Sequence, residues 1–211
     1  MGSSTLLDIV GALIIGGFML LLLHSLSGRA AENSSLYSGD LIAQQNLVSL
    51  VELLEHDFSR IGYCEDIEKM LDPEKMITYA DSNSITFWTD FAKSALDYRG
   101  DGTPEQLTYE IGPDVNETPN PNDKLLYRFK QGTTKNASNL GITKFNIDYY
   151  DNMNNKLTHP INTELISYMQ IDIKVEDCYG YDTGDSNKSH LEKFPTVFWR
   201  QIRMATKNMS R

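Results

Sequence analysis

Residues 9–27 read IVGALIIGGFMLLLLHSLS and contain no charged side chain. The segment is apolar on all sides of a helix up to Leu23, whereas a helix on the surface of a soluble domain has a polar stripe. At a rise of about 1.5 Å per residue, about 20 residues cross the roughly 30 Å hydrocarbon core of a bilayer. The segment therefore predicts a single N-terminal membrane-spanning helix.

A cleaved secretory signal is the alternative interpretation of this segment. No Lys or Arg precedes the apolar run, and no small-x-small cleavage site with a break in composition follows it. A helix-compatible sequence continues through Arg29 instead. We therefore expect the segment to remain on the chain as an anchor.

Asp8 lies directly before the apolar run. One interpretation is an acid near the helix N-terminus, where the helix dipole favours negative charge. The other is a charge held at the membrane edge for a partner molecule.

A second helical pattern follows the apolar segment and ends before Gly62, a residue that commonly stops helices. Its apolar residues recur at spacings of three and four, which places them on one face of a helix; they are Leu47, Leu50, Val51, Leu54, Phe58 and Ile61. We predict one long helix from about Leu6 to Ile61. Its first half lies in lipid, and its second half, the stem, packs on a globular domain.

Beyond Cys64 the pattern changes to that of β-strands separated by turn residues. In the strand around Phe145, alternate residues are apolar, which is typical of a sheet with one buried face. The candidate strands are Ile85–Thr89, Gln106–Ile111, Lys124–Lys130, Ile142–Tyr150, Tyr168–Glu176 and Thr196–Met204. Residues 64–82 and 177–194 are interpreted as long loops.

The predicted fold is therefore α+β, a long N-terminal helix with a twisted antiparallel sheet whose one face packs on the stem. The predicted divisions are an apolar helix at 1–28, an amphipathic stem at 29–62 and a β-rich domain at 63–211.

The net charge of −10 makes nucleic-acid binding an unlikely function, because such a surface repels phosphate backbones. The same charge repels anionic lipid headgroups, so membrane attachment must come from apolar insertion. The two cysteines, Cys64 and Cys178, belong to no Cys/His cluster, and a structural zinc site is not expected. In an oxidising compartment we expect them to form one disulfide, with two buried free thiols as the alternative.

Asp97, Asp101 and Glu105 are spaced like ligands of a calcium-binding loop, with Gly102 at position six. The pattern is incomplete, because Arg99 occupies a ligand position and Thr108 stands where a bidentate Glu is required. A plain hairpin turn is the alternative interpretation. We expect no cofactor other than this candidate calcium ion.

Enzyme motifs are absent from the sequence: it contains no GxSxG, Walker loop, GxGxxG or HExxH pattern. The four histidines, His24, His56, His159 and His190, have no nucleophile pattern near them. We therefore expect a protein without catalytic activity. Tyr149, Tyr150 and Tyr168 are interpreted as packing residues of the sheet, with an exposed aromatic cluster for sugar or surface adhesion as the alternative.

Several of these segments together resemble type IV pilin-like proteins. Residues 5–8, Thr-Leu-Leu-Asp, are similar to the Thr-Leu-(Leu/Ile)-Glu start of mature pilins. Residues 44–64, QQNLVSLVELLEHDFSRIGYC, resemble the stem of W-type minor pilins and J-type pseudopilins. The shared pattern is Leu, Asp, Arg and then Gly-Tyr, found here as Leu54, Asp57, Arg60, Gly62 and Tyr63. GITKFNIDYYD (141–151) and FPTVFWRQIR (194–203) resemble a middle strand and the last strand of the same families.

The resemblance implies a structural subunit, a minor pilin or a pseudopilin, of a type IV pilus-like filament or a type II secretion-like pseudopilus. Its partners are then other pilin-like subunits in a homo- or hetero-oligomeric filament, and the membrane before assembly. In the family, the acid that matches Asp8 pairs with the N-terminal amine of a neighbouring subunit, and Thr5, Leu6 and Leu7 belong to the same assembly segment. Two departures are visible, since Asp replaces Glu and Ser3 stands where the family has the Gly that ends its leader.

The location implied by the resemblance is a single-pass inner membrane protein with its domain outside the cytoplasm, then a periplasmic or extracellular filament. The charge distribution alone favours the opposite orientation, because Arg29 follows the apolar run and nothing basic precedes it. The alternative function is a monomeric, membrane-anchored binding or adhesion module, which could depend on calcium.

Overall fold

The computed structural model of the chain describes residues 2–70, 75–92, 99–178 and 197–205. The chain begins with one helix, α1, over Gly2–Ser59. By its contacts the chain divides into two compact units, residues 1–41 and residues 42–211. The division falls within the predicted stem, because only residues from Ile42 onward belong to the same unit as the sheet.

The first unit is the N-terminal part of α1, and its apolar side chains face the surroundings. Leu7 is 76% exposed, Phe18 64% and Leu22 69%. Within the described part of the chain, one helix is long and apolar enough to cross a membrane, and its most apolar stretch has no buried residue. The predicted apolar helix is therefore present, and nothing in its own unit covers it.

The second unit contains seven strands in the described residues, and each pairs antiparallel with the next one along the chain. They are β1 Ile77–Asp81, β2 Ser84–Asp90, β3 Pro104–Asp114, β4 Lys124–Lys130, β5 Asn136–Tyr150, β6 Tyr168–Glu176 and β7 Val197–Ala205. Two single 3₁₀ turns cover Ile67–Lys69 and Thr163–Leu165. The α+β prediction is confirmed, as are the exact bounds of β4 and β6.

β1 corrects the prediction of a continuous loop over residues 64–82. Among the described strands β1 pairs with β2 alone, and a register shift lies between Ile77 and Tyr79. Its residues therefore do not alternate between buried and exposed, which removes the period of two by which a strand is recognised.

The core lies between the stem and the inner face of the sheet. Every residue of the predicted apolar stripe is buried, and the exposed fraction ranges from 8% for Leu47 to 0% for Leu54. The Phe58 ring packs against Phe87 of β2 and Tyr109 of β3, with ring centroids 5.3 Å and 5.5 Å apart. Full burial of such a side chain contributes about 1.5–3 kcal/mol, so this stripe is the main apolar contact between the stem and the sheet.

The C-terminal end of α1 confirms the predicted stop at Gly62. Gly62 has a φ of 72°, in the left-handed region that a side chain disfavours. Its N–H donates to the Trp88 carbonyl oxygen of β2 at 2.8 Å. The turn therefore ends the helix and fastens its end to the sheet.

Neighbouring leucines on the stem provide a matched test of this packing. Leu54 is fully buried, whereas Leu53 is 39% exposed. We expect Leu54→Ala to lower the free energy of unfolding by about 2–5 kcal/mol, the range for a buried leucine truncated to alanine. Leu53→Ala should cost less than about 1 kcal/mol. Urea unfolding of the full chain in detergent, followed by tryptophan fluorescence, measures both, and equal costs would contradict the described packing.

Candidate functional site

Asp57 is the charged residue on the buried face of the stem, and it connects the helix to two strands. Its side chain is 2% exposed, and its Oδ2 accepts hydrogen bonds from the Tyr109 hydroxyl at 2.5 Å and from Arg128 Nε at 2.6 Å. Arg128 Nε also lies 3.1 Å from the Tyr109 hydroxyl oxygen. We call Asp57, Tyr109 and Arg128 the Asp57 cluster.

The electrostatics of the Asp57 cluster keep the carboxylate ionised. Burial raises the pKa of Asp57, but the hydrogen bonds from Arg128 and Tyr109 and the charge of Arg128 outweigh burial, so the pKa lies below its ordinary value of 3.8. Burial, together with the Asp57 charge, raises the pKa of Tyr109 far above its ordinary range. The cluster therefore contains a carboxylate, a guanidinium and a neutral phenol around neutral pH.

His56 and Arg60 extend these contacts beyond the cluster. His56 Nδ1 lies 3.0 Å from Asp57 Oδ1, while 59% of the His56 side chain remains exposed. Arg60 Nη2 donates to the Asp90 carbonyl oxygen at 2.6 Å, and its guanidinium lies 4.8 Å from the centre of the Tyr63 ring. The Asp and Arg of the stem pattern thus bond to the sheet, and its Tyr packs on that Arg.

The carboxylate of Asp90 organises the turn that follows the stem and the loop before β3. Asp90 is fully buried, and its oxygens accept from the backbone N–H groups of Glu65, Asp101 and Gly102 at 2.7–3.0 Å. A Cβ at Gly100 would approach the Asp90 carboxylate to 2.0 Å, so only glycine fits there. This buried carboxylate acts as an internal cap for both segments.

Two of the three predicted calcium ligands, Asp101 and Glu105, lie beside this Asp90 turn. Asp97 is outside the described residues. The Asp101 carboxylate accepts from Thr103 N at 2.9 Å, and Glu105 accepts from Lys130 Nζ at 3.0 Å and Phe91 N at 3.1 Å. In the described part of the chain, no three His, Cys, Asp or Glu side chains are grouped to hold a metal ion. Calcium binding stays a prediction that the structure does not test.

The predicted disulfide is not formed, and both cysteines are free thiols. Cys64 follows the end of α1 and lies beside Asp90, whereas Cys178 lies beside Asp123 and the helix residue Asn46. The helix rise from Asn46 to Ser59 is about 20 Å, whereas the Cα atoms of a disulfide lie about 4.4–6.8 Å apart. The two thiols therefore occupy opposite ends of the sheet.

The predicted assembly residues lie in the first unit. Thr5, Leu6, Leu7 and Asp8 are all helical, and Leu7 and Asp8 are exposed. Both interpretations of Asp8, an acid favoured by the helix dipole and a charge held for a partner molecule, stay predictions.

The three tyrosines proposed to pack the sheet differ in position. Tyr149 is in the core, 1% exposed, and its hydroxyl donates to the Asp81 carbonyl oxygen at 3.0 Å. Tyr150 and Tyr168 are paired across β5 and β6 on the opposite face, and the Arg203 guanidinium lies 5.4 Å and 5.5 Å from their ring centres. The described outer face therefore carries aromatic side chains beside a cation.

Comparison with known proteins finds little sequence similarity. No protein-family model matches the chain, and no curated protein sequence matches it. Among solved structures, the chain is similar to a type IV-like pilin from Thermus thermophilus, with a TM-score of 0.43 and 12% identity. That alignment covers 79% of this chain and 98% of the other. A similarity this low carries no inference about function.

The Asp57 cluster can be tested by removing its cation. Arg128→Met leaves the Asp57 carboxylate buried without its counter-charge. We expect a loss of about 2–3 kcal/mol in the free energy of unfolding, less than the loss of about 3–5 kcal/mol for a fully buried pair, because 35% of the Arg128 side chain is exposed. Arg200→Met, at an exposed position on β7, should change it by less than about 0.5 kcal/mol. Urea unfolding measures both, and an Arg128 variant as stable as the wild type would contradict an ion pair in the cluster.

The lowered pKa of Asp57 predicts a pH dependence of stability. Its stabilising contribution is complete above the ordinary pKa of 3.8 and is lost as pH falls through the lower pKa of the folded state. Unfolding measured from about pH 6 down to about pH 2 should show a steeper loss for the wild type than for Asp57→Asn. Parallel curves would show that Asp57 does not titrate in this way.

The free thiols predict a distinct labelling pattern. Burial raises the pKa of Cys178 to about 12, so at pH 8 only about one thiol in ten thousand is ionised. In denaturant without reductant, a maleimide should label both cysteines, whereas in the folded chain Cys178 should react very slowly. Mass spectrometry counts the labels. Labelling in denaturant that requires prior reduction would instead establish a disulfide.

Proposed function

We propose that this chain is a structural subunit, a minor pilin or pseudopilin, of a type IV pilus-like filament or a type II secretion-like pseudopilus. The observation that carries the proposal is the contrast within α1. Its N-terminal unit exposes Leu, Ile and Phe side chains on every side, whereas its C-terminal part is buried against a sheet in its own unit. Such a helix needs an apolar environment that the described residues do not supply.

The exposed side chains of the first unit supply the driving force for assembly. Covering a Leu, Ile or Phe side chain contributes about 1.5–3 kcal/mol, and α1 exposes eleven of them between Leu7 and Leu26. A bilayer covers this surface before assembly, and the corresponding helices of neighbouring subunits cover it in a filament. The proposal thus gives the same helix a membrane state and a filament state.

Asp8 supplies the specificity of that contact. It is the charged residue that precedes the apolar run, and it makes no ion pair with another described residue. A carboxylate moved into an apolar bundle is costly unless a cation pairs with it. We propose the N-terminal amine of a neighbouring subunit as that cation, so that one charge pair sets the position of adjacent helices.

The Asp57 cluster supports this role because a filament subunit must carry its domain on its helix. The buried stripe and the ion pair fasten the stem to β2, β3 and β4, and the Gly62 turn fastens its end. The assignment to minor pilins or pseudopilins rests on the likeness of the stem pattern from Leu54 to Tyr63. The described residues thus fasten the stem to the sheet, which suits a structural role.

Mechanical shearing of cells that produce the chain tests assembly. A filament subunit is released into the supernatant, whereas a tethered monomer stays with the membrane. We expect wild type and Glu32→Ala, an exposed acid elsewhere on the same helix, to be released. Asp8→Ala should stay with the membrane, and Asp8→Glu should be released because it keeps the charge. A wild-type chain that shearing never releases would favour the monomeric binding module instead, and filaments of the Asp8→Ala variant would disprove the charge pair.

A further inference from the structure

One group of lysines departs from the acidic character of this chain. Lys124, Lys144 and Lys174 line a surface concavity of about 410 Å³ together with Asn122 and Thr143. The three lysines come from β4, β5 and β6. Lys144 and Lys174 lie on the face of the sheet that points away from the stem, because their neighbours Phe145, Ile173 and Val175 are buried in the core.

The strand register places two of these ammonium groups opposite each other. Lys144 and Lys174 are directly paired across β5 and β6, and like charges in this position oppose pairing. Lys174 forms an ion pair with Glu176 at 2.6 Å, and Lys124 forms one with Asp114. Lys144, which is exposed, has no carboxylate partner among the described residues. It is therefore the cation of this group that remains available to an anion from outside.

An exposed aromatic ring lies in the same row of the sheet. Trp199 of β7 is the direct partner of Lys174, and 59% of its surface is exposed. Lys144, Lys174 and Trp199 thus form one row across three strands, and its ends are about 10 Å apart at the usual strand spacing. The strand pairing therefore holds the flat apolar Trp199 ring at a fixed distance from the Lys144 ammonium group.

The next row of the same face presents hydrogen-bonding groups. Asn146, Asp172 and Gln201 are paired across β5, β6 and β7, and Gln201 Nε2 donates to Asp172 Oδ1 at 2.8 Å. The buried hydroxyl of Thr143, in the wall of the concavity, has no hydrogen-bond partner in the described structure. Amide donors and carboxylate acceptors suit a ligand that is rich in hydroxyl groups.

We propose that this face binds an acidic oligosaccharide, a chain of sugar rings that carries carboxylate groups. A ring carboxylate pairs with Lys144, and the C–H face of the next ring packs on the negative face of the Trp199 indole. Hydroxyl groups between them bond to the Asn146, Asp172 and Gln201 row. This function goes beyond the proposed filament role, which uses the first unit and the Asp57 cluster but not the outer face of the sheet.

The charge of the surroundings favours a sugar acid over a phosphodiester chain. Asp172 lies in the row next to the lysine row and Asp148 one row further, on the same face of the sheet, and the whole chain has a net charge of −10. A DNA backbone has no hydroxyl group that could donate a hydrogen bond to these carboxylates, and it needs a broad basic surface. A sugar hydroxyl instead donates a hydrogen bond to such a carboxylate, so the neighbouring acids favour the sugar and disfavour the phosphate.

Calorimetric titration of the full chain in detergent with trigalacturonate tests the proposal. We expect saturable binding that weakens at least about tenfold in Lys144→Gln, the loss expected for a hydrogen bond to a charged group. Trp199→Ala should weaken it to a similar extent. Lys75→Gln and Tyr79→Ala, exposed residues near or on β1, serve as matched controls and should bind like the wild type. Both site residues are exposed, so melting curves of the variants should show folded protein.

Competing ligands distinguish binding of an acidic sugar from binding of a neutral sugar or of a phosphate. Cellotriose, which lacks the carboxylates, should bind at least about tenfold more weakly than trigalacturonate, and inorganic phosphate should not compete at equal concentration. Absence of trigalacturonate binding, or equal binding by the Lys144 and Trp199 variants, would overturn the proposal. Equal affinity for cellotriose, or tighter binding of an oligothymidylate, would also overturn it. Because the protein is dispersed in detergent, none of these results depends on filament assembly.

Discussion

Burial of the stem stripe against the inner face of the sheet is the contact on which the second unit depends. An apolar stripe by itself determines which face of a helix is buried. It still allows the helix to slide along the sheet by one turn, because one leucine can then take the place of another. Asp57 removes that freedom, because a buried carboxylate needs its donors at fixed positions. Those donors, Tyr109 and Arg128, come from two neighbouring strands. The ion pair thus selects one alignment of helix and sheet, while the apolar contacts around it provide most of the stability.

Periodicity made much of this architecture predictable. The stem stripe and the strands β4 and β6 have clear periods and are bounded by turn residues, so their positions followed from local sequence. β1 was missed because an edge strand with a register shift need not alternate. β5 extends to Asn136, six residues before the predicted start at Ile142, because that first part pairs with β4. Pairing with a neighbour, which no local window contains, determined these remaining boundaries.

The site residues were harder to predict because their contacts are distant in sequence. Asp57 is 52 residues from Tyr109 and 71 from Arg128. Its place among the apolar stripe residues, between Leu54 and Ile61, is the local signal from which a buried partner could have been predicted. Asp90 ends a strand. Nothing nearby in the sequence reveals the three backbone N–H groups from which its carboxylate accepts hydrogen bonds. The disulfide prediction used only compartment and cysteine count, whereas the separation of Cys64 from Cys178 depends on strand order and helix length.

Strand register connects the core of the second unit with its outer face. Each residue that β5, β6 and β7 place in the core, such as Ile173, fixes the direction of its neighbours, such as Lys174, because side chains alternate. A shift of one residue would exchange the two faces, so the apolar packing around Ile173 also holds the Lys144, Lys174 and Trp199 row in place. The opposed lysines do not help the strands pair, and the apolar residues behind them supply the stability instead.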